Sequence, residues 1–155
     1  MNVTALPNQP IGIAPPERRN PGRVAGARKE ATMSKEMVEG LCQDFADGRI
    51  DAIAPKLHDD FVLEWPQSGE RVRGVANWQG VHEHRPGGIP TIKVGRTIGA
   101  GDVWVSESTV DYGDGKTWYR TSIFELKDGK IWRETDFFAQ PFDAPEWRSK
   151  WVERM

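Results

Sequence analysis

Three ionisable side chains, Asp136, Asp111 and His82, are the candidates for acid/base catalysis in this sequence. A carboxyl group enclosed in an apolar cavity has a raised pKa, because burial disfavours its charged form, and it can then exchange a proton near neutral pH. Each candidate also has a structural alternative. Asp136 could face solvent or a partner subunit, Asp111 lies close to a turn where aspartate is common, and His82 could be a surface histidine.

The strand that carries Asp136 is predicted to form a hairpin across Asp128-Gly129, a strong signal for a two-residue turn. Simple pairing across this turn places Thr121 opposite Asp136. The neighbouring pairs on the same face are then Tyr119 with Phe138 and Ile123 with Glu134. Ile131 has the opposite parity, so both it and Asp136 can face the core only if a β-bulge intervenes.

The run His82-Glu83-His84 does not predict a metal site. Side chains two residues apart point about 200° apart on a helix, so the two imidazoles cannot bind one ion there. His82 is instead predicted to project from a helix into the mouth of a cavity. The sequence predicts neither a metal nor any other cofactor.

Aromatic side chains are numerous for a domain of this size, with seven tryptophans in the chain. The residues predicted to line a pocket for a small apolar or aromatic molecule are Trp65, Trp78, Trp118, Tyr119 and Phe138. The alternative is that these rings form the core and a dimer interface.

The composition excludes several classes of function. The chain has 155 residues and a net charge of −2, which argues against a nucleic-acid partner. No segment approaches the roughly 20 consecutive apolar residues of a membrane span. Cys42 is the only cysteine, so an intramolecular disulfide is excluded and a reducing, cytoplasmic location is expected.

Residues 1–32 differ from the rest of the chain. They hold five of the eleven prolines, several arginines and no aromatic residue, and are predicted to form a disordered Pro/Arg-rich tail ahead of a single domain over 33–155. This segment is either a basic arm or a stretch upstream of a second start at Met33.

The domain begins with helices and continues with strands. A helix is predicted from Ser34 to Gly48, a short one follows it, and a third covers residues 75–82. A strand over Phe61–Trp65 with a short partner lies between them, and a four-stranded antiparallel meander covers residues 92–138. A capped C-terminal helix is predicted for residues 143–154. This order defines an α+β fold.

Short motifs occur in an order that resembles the nuclear transport factor 2-like superfamily, specifically its SnoaL-like, polyketide cyclase-like branch. The motifs, over about residues 34–140, are Asp59-Asp60-Phe61, Glu64-x-Pro66, Gly69-x-x-x-x-Gly74, Asp128-Gly-Lys-Ile131 and Asp136-Phe-Phe138. The resemblance implies a cone-shaped, curved antiparallel sheet wrapped on N-terminal helices, the cystatin-like roll, with an apolar cavity. It also implies a homodimer packed through the outer sheet faces, which large residues such as Trp104 or Trp132 would cover.

Ketosteroid isomerase chemistry is not expected from this resemblance. Those enzymes carry a general-base aspartate in Glu-Asp-Pro, where this chain has Glu64-Trp65-Pro66. Their oxyanion tyrosine corresponds to Leu41, and their acidic partner falls near Ser122. Proton abstraction next to a carbonyl needs a base and an oxyanion donor, and the matching positions supply neither.

The resemblance to limonene-epoxide-hydrolase-like members is partial. Those enzymes use Arg-x-Asp on one strand and a second aspartate on the last strand. Thr109-Val-Asp111 offers the first aspartate without its arginine, and Asp136 matches the second. Arg120, on the neighbouring strand, could replace the missing guanidinium. SnoaL-like cyclases also use an aspartate of this sheet, for which Asp136 is the candidate.

The sequence therefore predicts a protein that binds a small apolar molecule and catalyses acid/base chemistry of the cyclase, dehydratase or hydrolase kind. The alternative is a non-enzymatic ligand-binding or dimerisation module. The two are distinguished by whether Asp136 shares one enclosed cavity with Tyr119, Asp111 or His82.

Overall fold

The first element is a long helix, α1, which spans Pro21–Ala46. The computed structural model describes the backbone of residues 21–155 and the side chains of residues 26, 29, 30 and 32–155, so residues 1–20 of the predicted tail lie outside the described residues. The helix begins at Pro21 and not at Ser34, and the backbone of residues 21–32 is helical. Proline is favoured in the first turn of a helix, and the alanine, arginine and lysine that follow are good helix formers.

Two further helices complete the helical layer. Helix α2 (Ile50–Ile53) continues into a 3-10 turn at Ala54–Lys56. Pro55 lies in the first turn of this segment, where the missing N–H of proline costs no intrahelical hydrogen bond. Helix α3 (Val75–Glu83) agrees with the predicted third helix. No helix in the described part of the chain is both long and apolar enough to cross a membrane.

Six strands form one curved, open sheet in the order β2-β1-β6-β5-β4-β3. The strands are β1 (Leu57–Trp65), β2 (Glu70–Arg73), β3 (Thr91–Ala100), β4 (Val103–Asp111), β5 (Thr117–Lys127) and β6 (Lys130–Ala139). Strands β3 to β6 form the predicted meander, but β1 pairs with β6 in parallel, so the sheet is mixed and not purely antiparallel. The curved sheet on N-terminal helices confirms the predicted α+β, cone-shaped fold.

The β5–β6 hairpin has a different register from the predicted one. Its turn is Asp128-Gly129, with positive φ values of 52° and 73° that suit a tight two-residue turn. A bulge between Glu125 and Leu126 shifts the pairing by one residue. Ser122, and not Thr121, therefore lies opposite Asp136, and the bulge allows both Asp136 and Ile131 to be buried.

The core lies between α1 and the concave face of the sheet. Val38 and Leu41 of α1 pack in one cluster with Phe61, Phe124 and Ile131, which are at most 1% exposed. Trp104 belongs to this cluster and is 4% exposed, so it does not cover the outer face as predicted. Its indole N–H donates to the Gly101 carbonyl at 3.0 Å.

The segment after β6 does not form the predicted C-terminal helix over 143–154. It contains only a 3-10 helix at Glu146–Trp151, with Pro145 in extended conformation before it and no side-chain cap. Trp147 and Trp151 are about three-quarters exposed. Without an apolar surface to bury, a segment this short cannot offset the cost of helix nucleation.

Candidate active site

The concave face of the sheet and the helical layer line a cavity of about 820 Å³ that opens to solvent and has mainly apolar walls. Four of the five predicted ligand-binding residues line it: Trp65, Trp78, Trp118 and Phe138. The fifth, Tyr119, is 54% exposed and lies on the opposite face of β5, because the bulge reverses which β5 residues share a face with Asp136.

A cluster of charged side chains lies in the wall of this cavity. The Nη2 atom of Arg120 donates to Glu134 Oε1 at 2.6 Å and lies 3.0 and 2.9 Å from the two carboxylate oxygens of Asp136. Ser122 Oγ donates to Asp136 Oδ1 at 2.6 Å. Glu134 and Asp136 are 5% and 3% exposed, so the cluster is almost sealed from bulk water.

The strand pairing explains how these groups meet. Glu134 and Asp136 are two residues apart on β6, so both side chains point to the cavity face. Ser122 is the cross-strand partner of Asp136, and Arg120 is the partner of Phe138, one step further along the same face. The Arg120 guanidinium lies 5.3 Å from the ring centroid of Phe45 and 6.0 Å from that of Phe138.

Sequence reasoning did not identify Glu134 or Ser122 as site residues. The spacing of Glu134 and Asp136 was the available signal, because two carboxylates separated by one residue in a strand share a face. Arg120, from the neighbouring strand, pairs with both of these carboxyl groups.

Burial and neighbouring charges move the pKa values of Glu134 and Arg120 away from their ordinary values. Burial, and then the Asp136 carboxylate, raise the pKa of Glu134 to about 8, although Arg120 opposes this shift. Burial lowers the pKa of Arg120, but the two carboxylates more than offset it and keep the pKa above its ordinary value. These directions favour a charged guanidinium beside a Glu134 carboxyl group that keeps its proton to a higher pH than an ordinary glutamic acid.

His82 lies in the same cavity wall and is 9% exposed. Its ring packs edge-to-face against Phe45 and Trp78, with centroid distances of 4.9 and 4.6 Å. Burial, then the positive charges of Arg120 and Arg85, lower the pKa of His82 to about 4. The imidazole is neutral at neutral pH, which suits it to shape the cavity or donate a hydrogen bond more than to act as a base.

Asp111 is not brought to the cavity. It is exposed at the end of β4, and its Oδ1 accepts a hydrogen bond from the Gly113 backbone N–H at 2.8 Å. Aspartate often has this local role in a turn. The prediction that Asp111 joins Asp136 in the cavity is therefore corrected. Asp136 and His82 line the same cavity, and Asp111 and Tyr119 do not line it.

No metal-binding arrangement is present among residues whose side chains the structure describes, since no group of three or more His, Cys, Asp or Glu side chains is placed to hold an ion. Besides Arg133 Nε, which does not belong to the cavity lining, two buried donors have no acceptor among the residues whose side chains the structure describes: Trp118 Nε1 and Arg120 Nε. Both residues line the cavity.

Residues 38–134 match the family model of the SnoaL-like domain. The match covers more than half of the chain, so this protein belongs to the SnoaL-like domain family, within the nuclear transport factor 2-like superfamily. The family resemblance seen in the sequence motifs is thereby confirmed. No curated protein matches the chain.

Solved structures share the fold. An NTF-2 like protein of unknown function from Burkholderia xenovorans LB400 is 38% identical, with a TM-score of 0.74 over 80% of this chain and 96% of that chain. A protein from Kribbella flavida DSM 17836, provisionally assigned as a ketosteroid isomerase, is 23% identical (TM-score 0.74; 81% and 92% covered). A Mycobacterium tuberculosis LEH-like epoxide hydrolase is 23% identical (TM-score 0.59; 71% and 85% covered). The last two similarities show the fold alone.

Proposed function

We propose that this protein is a cofactor-independent enzyme that carries out acid/base chemistry on a small apolar molecule in the cavity. The observation that carries the proposal is the cluster in which Arg120 holds Glu134 and Asp136 together in the wall of an apolar cavity. Neighbouring carboxyl groups whose environments give them different pKa values can supply an acid and a base to one substrate.

Hydrolytic opening of an epoxide is the reaction that this cluster fits best. Asp136 takes a proton from a water molecule as the water oxygen attacks an epoxide carbon. The carbon–oxygen bond breaks, and Glu134 donates its proton to the departing oxygen, so that a diol forms. A proton then passes from Asp136 to Glu134 and restores the starting state. Arg120 keeps both carboxyl groups close and offsets their negative charge.

The two unpaired donors in the cavity wall support a ligand that carries a polar atom. A buried donor without an acceptor costs about 1–3 kcal/mol. An oxygen atom of a bound molecule that reached Trp118 Nε1 or Arg120 Nε would offset this cost. Dehydration or cyclisation would use the same two proton transfers without the attacking water, and the same residues would serve them.

Ketosteroid isomerase chemistry has no comparable support. Leu41, at the position of the oxyanion tyrosine in those enzymes, is 5% exposed and presents only carbon to the cavity. Ser122, near the position of their acidic partner, donates its hydroxyl to Asp136.

The test is a panel of cycloalkyl and arylalkyl epoxides incubated with the protein in ¹⁸O-labelled water. We expect labelled diol from the wild type and at least a hundredfold less from Asp136→Asn and Glu134→Gln. Glu107→Gln is the matched control, because Glu107 also pairs with an arginine (Arg96, 2.7 Å) but does not line the cavity. Binding of the epoxides without diol formation would support the non-enzymatic binding module instead.

We also propose a homodimer that packs through the outer face of the sheet. Tyr119 and Phe137 are 54% and 40% exposed on that face. The pairings Tyr119 with Ala139 and Thr121 with Phe137 place the two rings on adjacent strands at neighbouring positions. Clustered exposed aromatic side chains are typical of a protein interface.

A further inference from the structure

A second arginine lines the cavity, at its solvent end. Arg85 follows α3 and is half-buried, while its neighbours His84 and Pro86 are exposed. Its guanidinium carbon lies 4.6 Å from the ring centroid of Tyr112, which also lines the cavity. Arg85 is therefore the more solvent-accessible of the two cavity arginines, and we place it at the mouth, whereas Arg120 lies in the nearly sealed cluster with Glu134 and Asp136.

Arg85 has no carboxylate partner among the residues that the structure describes. Arg120, the other arginine of the cavity, pairs with two carboxylates. The acidic side chains of the loop after β4 are engaged locally, since Asp111 accepts from the Gly113 N–H and Asp114 from the Lys116 N–H. Among the side chains that the structure describes, the Arg85 guanidinium contacts the face of the Tyr112 ring.

The charges of the cavity favour an anion. Its ionisable side chains are those of Arg85, Arg120, His82, His84, Glu134, Asp136 and Tyr112. Glu134 and Asp136 both pair with Arg120 and not with Arg85, and neither histidine can carry a negative charge. One positive charge, that of Arg85, is left over at the mouth of an apolar chamber.

We propose that Arg85 is a specificity residue that selects amphipathic acids, molecules whose apolar body fills the cavity and whose carboxylate pairs with its guanidinium. This inference rests on the proposed function, because it assigns the substrate class of the same cavity. A planar guanidinium binds a carboxylate through two parallel hydrogen bonds. Stacking on Tyr112 fixes the orientation of the Arg85 guanidinium. The Tyr112 ring in turn packs edge-to-face against Trp118, with 6.0 Å between the ring centroids. The aromatic wall of the cavity therefore continues inward from its mouth.

The test compares two probes of nearly equal shape, 4-phenylbutanoate and 4-phenylbutanamide, by isothermal titration calorimetry with the full-length wild-type protein. We expect the acid to bind at least tenfold more tightly than the amide, with an advantage that shrinks as salt is raised. Arg85→Gln should abolish the preference without weakening the amide, and Arg85→Lys should keep part of it. Arg73→Gln is the control, since Arg73 is exposed and lies outside the cavity.

The outcomes separate this inference from the proposed function. Equal binding of acid and amide by the wild type, or a preference that survives in Arg85→Gln, would overturn the role of Arg85 and leave the acid/base proposal intact. Preference lost only in an Arg120→Gln variant would place the carboxylate at the buried end and also overturn it. Absence of binding by both probes at millimolar concentration would overturn the apolar ligand site itself, and with it both proposals.

Discussion

Arg120 and Glu134 are joined across neighbouring strands by a 2.6 Å hydrogen bond, and the same guanidinium nitrogen reaches Asp136. One cation is thus shared by two buried carboxyl groups. The cluster would carry a net negative charge if both acids were ionised, and burial opposes this. This imbalance is a physical cause of the raised pKa of Glu134, on which the proposed pairing of an acid with a base depends.

The first prediction concerns the pH dependence of stability. The pKa of Glu134 is about 8 in the folded protein against an ordinary value of 4.5, so between these values the folded state binds a proton that the unfolded chain has released. The free energy of unfolding therefore falls as pH rises through this window. Each pKa unit corresponds to about 1.4 kcal/mol, and we expect Glu134→Gln to remove at least about 1 kcal/mol of this decline. Urea unfolding at several pH values measures it; identical slopes for the variant and the wild type would contradict the assignment.

The second prediction concerns removal of the shared cation. Arg120→Met leaves the Asp136 carboxylate buried without its partner, and breaking a buried ion pair in this way costs about 3–5 kcal/mol. The double variant Arg120→Met/Asp136→Asn removes the stranded charge and should recover much of the loss. Equilibrium denaturation of the two single variants and the double variant gives the coupling energy, and simple additivity would argue against a direct interaction.

Gln67 is the subject of the third prediction. In the turn between β1 and β2, its side chain donates to the Phe138 carbonyl and accepts from the Phe138 N–H at 2.7 Å, so it joins this turn to the end of β6 beside the cavity. Gln67→Ala removes both bonds and should lower the free energy of unfolding by about 1–3 kcal/mol. Amide hydrogen exchange at Phe138 should accelerate. Ser68→Ala, which loses one exposed bond to the Trp65 carbonyl, is the control; equal effects of the two changes would refute a specific role for Gln67.

Sequence periodicity predicts the elements of this fold better than it predicts the site. Helix α3 and the meander follow from local patterns and from the Asp128-Gly129 turn, which depend on nearby residues. The bulge at Glu125 and Leu126 depends on which side chains the core must bury, and it decides that Ser122 and Arg120, rather than Thr121 and Tyr119, face Asp136. A one-residue shift exchanges the two faces of a strand, which is why simple pairing across the turn missed Ser122, whereas Arg120 was anticipated from the family motif.

The fourth prediction tests the dimer. A lysine at Phe137 would place a charge in the proposed interface, where its desolvation is unfavourable. We expect Phe137→Lys to be monomeric at micromolar concentration by light scattering, while the wild type has the mass of a dimer. Val152→Lys, which changes an exposed apolar residue after the sheet, should leave the dimer intact. A monomeric wild type would refute the proposal.

The final prediction concerns Asp136→Asn, which keeps the shape of the side chain and removes its ability to take up a proton. Turnover should fall by at least about a hundredfold, while binding of the neutral probe 4-phenylbutanamide should change by less than threefold.

The free energy of unfolding of Asp136→Asn should change little, because Glu134 can take the place of Asp136 as the charged partner of Arg120. The Asp136 charge is one of the causes that raise the pKa of Glu134, so in the variant this pKa falls, Glu134 ionises, and Arg120 keeps a charge-balanced partner. The pH-dependent decline in the free energy of unfolding should accordingly shrink relative to the wild type. Urea titrations at pH 5 and pH 8, with calorimetric binding at each, measure these effects together. A large loss of stability with unchanged turnover per folded molecule would instead make Asp136 a structural partner of Arg120.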